Sequence, residues 1–303
     1  MSFETDITDD GTRQIGPLRT PAQMLAEQEY AGHTSVHDDE TAGKLGLAGA
    51  PIEGPTHFSQ IDPLAVERWG QAWFERGCVS SHFLNMVVEG EQVRAEIETV
   101  SETLARIGAE KADGTPVLTG TASIGRDRGT ELDERRQRGL GDPGELYIVD
   151  QLEIGMQVSV PEPVTMGFED HNGHLYPFTL AQKLDQITER SSWYLPDRDS
   201  PWERPIVPTE MISVIAHQSN AHFPVRGPSV GLFIDLEVRF VDGPVFVDQP
   251  YQIEHTLVGV GQTKRVESYW TETTLTDAET GAHAATVLLH QGVFKASYAE
   301  YPA

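Results

Sequence analysis

The chain has 303 residues, 38% of them apolar and 23% charged: enough apolar material for real cores, and too long for one ordinary core. A formal charge of −25 and a pI near 4.7 disfavour nucleic acid and anionic lipid as partners, and any anionic ligand would need a local basic patch. Cys78 is the only cysteine, which excludes an internal disulfide and a thiolate metal cage.

In chain order, residues 1–20 are acidic and turn-rich and are expected to be loosely held. "TPAQMLAEQE", Thr20 to Glu29, predicts a short helix with Thr20 as cap and Pro21 at its first position. The polar run "AGHTSVHDDE" follows, then "TAGKLGLAGA", a weak helical turn broken by glycines. "EGPTHFSQIDPLAVERWGQAWFERG" predicts a helical stretch interrupted at Pro63. Its Leu64, Val66, Trp69, Trp73 and Phe74 fall mostly at three- and four-residue intervals. Strand signals take over after Gly77 in "SSHFLNMVVEG", "EQVRAEIETV" and "VLTGTASIG". Gly125 to Glu145, "GRDRGTELDERRQRGLGDPGE", has no apolar period and predicts an exposed linker, rich in arginine through Arg126, Arg128, Arg135, Arg136 and Arg138. "GVGQTK", Gly259 to Lys264, lacks the full spacing of a nucleotide loop and predicts a hairpin turn. No apolar run approaches bilayer-crossing length, and the first thirty residues hold no apolar stretch of signal-peptide length. The expected location is therefore cytoplasmic.

The pattern then starts again. "APIEGPTHFS" (Ala50 to Ser59) resembles "RPIVPTEMIS" (Arg204 to Ser213), and "SHFLNMVVEGEQVRAEIE" from Ser81 resembles "VRFVDGPVFVDQPYQIEH" from Val238. Two copies in the same order, roughly 150 residues apart, predict two similar α+β domains.

"VHDDETAGKLGLAGAPIEGPTHFS" resembles the signature of the MaoC-like hydratases, and "RFVDGPVFVDQPYQIEHTL" looks like the strand that follows their long helix. The resemblance implies two tandem hotdog domains, each a long helix wrapped by an antiparallel sheet, arranged as a pseudo-dimer. The expected division is an N-terminal hotdog over residues 1–125, an Arg-rich linker over 126–147 and a C-terminal hotdog over 148–303. It also implies hydration or dehydration of a 2-enoyl or 3-hydroxyacyl thioester, most simply a coenzyme A ester, with no metal or other cofactor. Residue by residue, His37 matches the family histidine and Gly54 the glycine whose N–H polarises the thioester carbonyl. The departures are Gly32 in place of the family aspartate, Thr34 and Ser35 in place of Asn-Pro, and Glu53 in place of a histidine.

Asp38, Asp39 and Glu53 are the carboxylates able to replace the missing acid. Glu53 at a helix start gains from the helix dipole, which would lower its pKa and suit a base. The expected catalytic set is His37, Asp38, Glu53 and Gly54, with His33, Thr34, His57 and Arg204 in substrate binding. The Arg-rich linker or Arg239 are alternatives to Arg204 for the phosphates of coenzyme A. At the positions matching His37 and Gly54 the second copy has Ser191 and Pro208. A proline has no N–H to donate, so this half is expected to wall an acyl tunnel with Trp193, Tyr194, Phe178 and Phe233, or to use them in its core.

Plainer roles remain open. His37 and the acids beside it could form a solvated turn capping the next helix, Glu53 could be a cap, and His57 a packed core residue. The residues are equally compatible with a hydrolase in which Glu53 activates water, or with a non-catalytic acyl-binding protein. A homodimer is possible, although the two halves can pair internally.

Overall fold

In the computed structural model, residues 2–30, 32–125, 129–139, 141–196, 200–219 and 222–302 are described. The first half carries β1 (Thr8–Asp9), β2 (Arg13–Ile15), α1 (Asp39–Lys44), a 3-10 helix over Gly54–Gln60, α2 (Asp62–Trp69) and α3 (Ala72–Arg76). Its main strands follow as β3 (Gly77–Phe83), β4 (Val93–Thr99), β5 (Leu104–Lys111) and β6 (Pro116–Ile124). After α4 (Glu131–Gly139), the second half has β7 (Gln157–Ser159), α5 (Leu180–Gln186) and α6 (Thr209–His217). It ends in β8 (Gly231–Phe240), β9 (Tyr251–Gln262), β10 (Val266–Asp277) and β11 (His283–Phe294).

All strands join one 11-stranded sheet in the order β1-β2-β4-β5-β6-β3-β8-β11-β10-β9-β7. Outward from the β3–β8 seam, the two sides run in the same sequence of equivalent strands, and the seam itself pairs Cys78 through His82 antiparallel with Arg239 through Asp235. Each half wraps its own helix, so the molecule is a double hotdog. Strand alternation explains the packing: on β4, Val93, Ala95 and Ile97 are buried and the residues between them are more exposed.

The repeat holds down to single hydrogen bonds. Before each helix a backbone N–H bonds to a facing carbonyl, Ile52 to Val87 at 2.7 Å and, one residue further along the repeat, Val207 to Val245 at 2.9 Å. Ser59 Oγ donates to the Thr56 carbonyl at 2.8 Å, and Ser213 Oγ to the Glu210 carbonyl at 3.0 Å. The Gly259–Lys264 stretch leads out of β9 into the β9–β10 turn, where Thr263 N–H donates to the Val266 carbonyl.

The halves share one apolar core, in which Phe58, Ile61 and Phe74 of the first meet Ile212, Ile215 and Leu236 of the second. A buried polar junction is set into it. The Asp62 carboxylate accepts from Trp73 Nε1 at 2.8 Å, Thr209 Oγ1 at 2.6 Å and Tyr194 OH at 3.0 Å. Nearby, Lys183 pairs with Glu210 at 2.8 Å and reaches Thr56 Oγ1 at 3.3 Å.

Three expectations are corrected. Thr20–Glu29 is not helical. Its polar groups bond to distant segments instead, Gln23 N–H to the Glu89 carboxylate of the first half at 2.7 Å, and Glu29 N–H to the His174 carbonyl and Gln28 Nε2 to the Leu175 carbonyl of the second, each at 2.9 Å, while Leu25 is buried. Residues 1–20 are held rather than loose: β2 pairs with β4, and Arg19 pairs with Glu189 at 2.7 Å. The linker contains α4, whose Leu132 is fully buried against Trp270 and Leu288. Its N–H donates to Ser80 Oγ at 3.0 Å. Ser80 alternates with Val79 and Ser81 along β3, so α4 lies on the sheet face opposite the core helices. Arg126 and Arg128 lie outside the described residues.

Candidate active site

The site is a cavity of about 450 Å³ between the halves. The loop around His33–His37 and the start of the 3-10 helix build one wall. The end of α6 and the inner faces of β8 to β11 build the other.

His37 sits in the first wall with its Nδ1 2.7 Å from the Pro51 carbonyl oxygen. A carbonyl only accepts, so Nδ1 carries the hydrogen and the lone pair of the neutral ring is on Nε2. Burial lowers the imidazole pKa, partly opposed by the Pro51 hydrogen bond, which keeps the ring neutral and basic near pH 7. The same bond ties His37 to the chain two residues before Glu53. Ser35 Oγ accepts from the His37 N–H and donates to Gln28 Oε1, fixing the loop from the other side.

Glu53 precedes the 3-10 helix and lines the same cavity, but its side chain makes no capping hydrogen bond. Burial pushes its carboxyl up to about 7; Lys183 pulls it down and Glu210 pushes it further up. The Glu53 pKa is therefore raised, not lowered as a helix start alone would have it. A short 3-10 turn offers little dipole, and desolvation outweighs it. A carboxyl titrating near 7 is half protonated at neutral pH and can give a proton as well as take one.

Gly54 follows. Pro55 has no N–H and Thr56 N–H is bonded to the Glu53 carbonyl, so the donor left at this turn is the Gly54 N–H. A Cβ on Gly54 would lie 2.7 Å from Phe83 Cζ, so the close approach of that ring requires glycine. His57 is buried in the same wall with its Nδ1 unpartnered among the described residues. Burial lowers its pKa to about 4, with Lys183 and Lys111 adding to the effect, so it is neutral. His33 and Thr34 line the cavity and are pinned to the second half, His33 Nδ1 by Ser229 Oγ at 3.0 Å and Thr34 N–H by the Ser229 carbonyl at 3.2 Å.

Three sequence-predicted residues lie elsewhere. Asp38 caps α1, accepting from Glu40 N–H at 3.2 Å and Thr41 N–H at 2.9 Å, and does not line the cavity. Asp39 is likewise engaged by the Ala50 N–H at 2.9 Å. Asp38 thus has the capping role open to a short acid before a helix, and Asp39 ties α1 to the loop ahead of Pro51. Arg204 stacks over Phe246 and donates to Gln249 Oε1 at 3.0 Å, also away from the cavity. Of the four aromatic residues expected along a tunnel, Phe233 lines the cavity, whereas Phe178, Trp193 and Tyr194 pack in the shared core.

Sequence reasoning missed His217, His222 and His255, which the second half contributes to the same cavity, and the linked side chains Tyr30, Gln291 and Tyr269. The signal was present for His255, a histidine on the apolar period of β9. It also missed a groove lined by Lys44, Lys264, Arg265 and Lys295, a concentration of positive charge on a chain with 22 basic residues against 47 acidic ones. Leu45 and Phe294 of this groove pack with Val36, Leu232 and Ile234, which line the main cavity, so the two are neighbours. Among the described residues, no group of three His, Cys, Asp or Glu is placed to hold a metal ion. No described helix is long and apolar enough to cross a membrane.

Neither a protein-family model nor a curated protein matches the chain in sequence. Solved structures do match over its whole length. One, described as a MaoC domain protein dehydratase from Chloroflexus aurantiacus, has a TM-score of 0.54 at 14% identity, covering 97% of this chain and 95% of that one. Another, from Mycobacterium tuberculosis and described as a double hotdog, has a TM-score of 0.54 at 12% identity, with 96% of each chain covered. At these identities the likeness is one of fold, the double hotdog.

Proposed function

We propose that the protein is an acyl-thioester hydratase or dehydratase of MaoC-like type, with its working residues in the first half. The observation that carries this reading is the pairing, in one cavity wall, of an imidazole locked with its basic nitrogen free and a carboxyl raised to about 7. Water adding to a 2-enoyl thioester must lose a proton as its oxygen bonds to C3, and C2 must gain one. His37 Nε2 takes the first proton, and protonated Glu53 supplies the second. The Gly54 N–H donates to the thioester oxygen, where charge collects in the enolate. Dehydration is the same path reversed. Glu53 thus fills the role of the acid missing at Gly32.

The carrier is coenzyme A or a protein-bound pantetheine, and the basic groove of Lys44, Lys264, Arg265 and Lys295 is where its phosphates would find compensating charge. One assay tests the reading. Purified protein is mixed with short, branched, aromatic and hydroxylated 2-enoyl-coenzyme A esters, following enoyl absorbance and free thiol together. Loss of absorbance without thiol is expected. Thiol release would instead make the protein a thioesterase with Glu53 as its base, and silence across the panel would remove the catalytic reading.

A further inference from the structure

The second half's wall carries polarity that the proposed chemistry does not use. His255 lies on the buried face of β9 between Ile253 and Leu257 and is only 4% exposed. The repeat shows how unusual this is. Val93 bridges Arg19 in the first half as Tyr251 bridges Val164 in the second, so the counterpart of His255 is Ile97, an ordinary core residue. His217, the last residue of α6, stacks on it with ring centroids 5.9 Å apart and planes 20° apart.

Both rings are held from behind. His217 Nδ1 donates to the Ser213 carbonyl at 2.8 Å, and His255 Nδ1 meets Thr273 Oγ1 at 2.8 Å. Both Nε2 atoms are buried and unpartnered among the described residues, and both rings line the cavity. Burial lowers their pKa values to about 4 and about 3, so both are neutral near pH 7. A buried polar atom without a partner costs stability, and two of them on stacked rings in one cavity wall need a reason.

We infer that His217 and His255 form a recognition site for a hydrogen-bonding group, a hydroxyl above all, carried on the acyl chain of the substrate. The tautomer decides the polarity. With Nδ1–H of His217 committed to a carbonyl, its Nε2 is a bare acceptor and calls for a donor on the ligand. Thr273 can donate to His255 Nδ1, leaving Nε2–H of His255 as a donor beside it. A hydroxyl satisfies both, giving its hydrogen to His217 and accepting from His255. A carboxylate cannot, because it has no hydrogen for His217. An unsubstituted alkyl chain would leave both nitrogens unsatisfied, the situation in which sites of this type discriminate strongly. The inference rests on the acyl-thioester reading and specifies the acyl group.

The test uses S-(ω-hydroxyalkyl)-pantetheine thioethers from butyl to dodecyl, each beside its plain alkyl twin, titrated calorimetrically into the wild-type protein. Thioethers do not react, so the result does not depend on turnover. At the best chain length the hydroxylated member is expected to bind at least tenfold tighter. His217→Leu and His255→Leu should each remove that preference while leaving the alkyl twin bound as before or tighter. In the wild type, the Nε2 nitrogen resonances of both histidines should shift with the hydroxyalkyl probe and stay put with the alkyl one, a readout that needs no variant. Equal binding of the twins at every length, or a preference that survives both substitutions, overturns this inference alone and assigns the nitrogens to bound water. If neither twin binds, the acyl-thioester reading falls, and this one with it.

Discussion

The two halves present the same strands, the same helix start and even the same serine back-bond, yet they differ at three positions that matter. In the register set by Pro-Ile and the serine back-bond, Glu53 and Gly54 fall opposite Val207, which is buried and apolar, and Pro208, which has no N–H. Where the first half has Ile97 on its core strand, the second has His255. On the proposed chemistry, one half carries the acid, the base and the amide donor, and the other carries a pair of neutral imidazoles. A duplicated fold leaves room for this, because a single core needs only one of its two helix starts to be reactive. The division of labour makes definite demands.

The largest effect should come from the first half alone. His37→Ala and Glu53→Gln are each expected to lower kcat by about 10²- to 10⁴-fold, the usual contribution of a positioned acid or base. Both should leave the thermal midpoint close to wild type or, for Glu53→Gln, raise it, since an ionisable group no longer has to be desolvated. Steady-state rates on the best enoyl ester check this. An equally large loss from His217→Leu on a plain alkyl substrate would erase the distinction between the halves.

Next in size is the junction that makes the halves one unit. Asp62 accepts three hydrogen bonds, one from its own half and two from the other, and Asp62→Ala leaves those donors buried without their acceptor. A loss of about 3 kcal/mol is expected. Denaturant unfolding followed by far-ultraviolet circular dichroism and by tryptophan fluorescence should still show a single coincident transition, because the core is shared. Two separated transitions in the wild type would contradict a single cooperative unit.

The pH profile gives a smaller effect, with a sign that separates the two chemistries. If Glu53 works as the acid, kcat/KM falls about tenfold per pH unit above its pKa of about 7. If it works as the base of a hydrolase, activity instead rises to a plateau there. On the acid side, protonation of His37 ends activity, at a pH below the ordinary imidazole value because burial lowers its pKa. Stability follows the same carboxyl. The folded protein holds the Glu53 proton more tightly than the unfolded chain does, so this contribution is full below about 4.5 and is lost as pH rises toward 7. Burial raises Asp62 to about 7 as well, against the three hydrogen bonds that lower it, and adds a slope of the same sign. Glu53→Gln should remove its share of the slope.

Much of this was legible in the sequence, for local reasons. Pro-Ile and Ser at matching offsets marked the two helix starts, and His37, Glu53 and Gly54 were placed together because a short loop and a turn position them. What was not legible depended on distant partners. Thr20–Glu29 has a helix cap and a helical composition, but its polar groups meet His174 and Leu175, far away in sequence, and those bonds override propensity. Asp38 resembles a catalytic acid by adjacency to His37, yet the helix that starts at the next residue captures it. The pKa of Glu53 was misjudged because sequence shows the helix start and not the cavity wall around it.

The linker shows the same limit, and the smallest expected effect lies there. A run of glycines and arginines hid Leu132, the buried residue that docks α4 over the β3–β8 seam. Arg135 Nε lies 2.8 Å from Asp235 Oδ1, but its N–H is poorly aligned and makes no hydrogen bond. Asp235 is already served by His290 Nδ1 at 2.6 Å and His82 Nδ1 at 2.7 Å; burial works to raise its pKa, but those bonds hold it near 2. Arg135→Ala is therefore expected to cost about 1 kcal/mol or less. Leu132→Ala, which opens a cavity against Trp270 and Leu288, should cost about 2 kcal/mol or more by chemical denaturation. If the arginine proved the costlier loss, α4 would be held by charge rather than by its one buried leucine, and the linker would belong to the electrostatics of the seam instead of to its core.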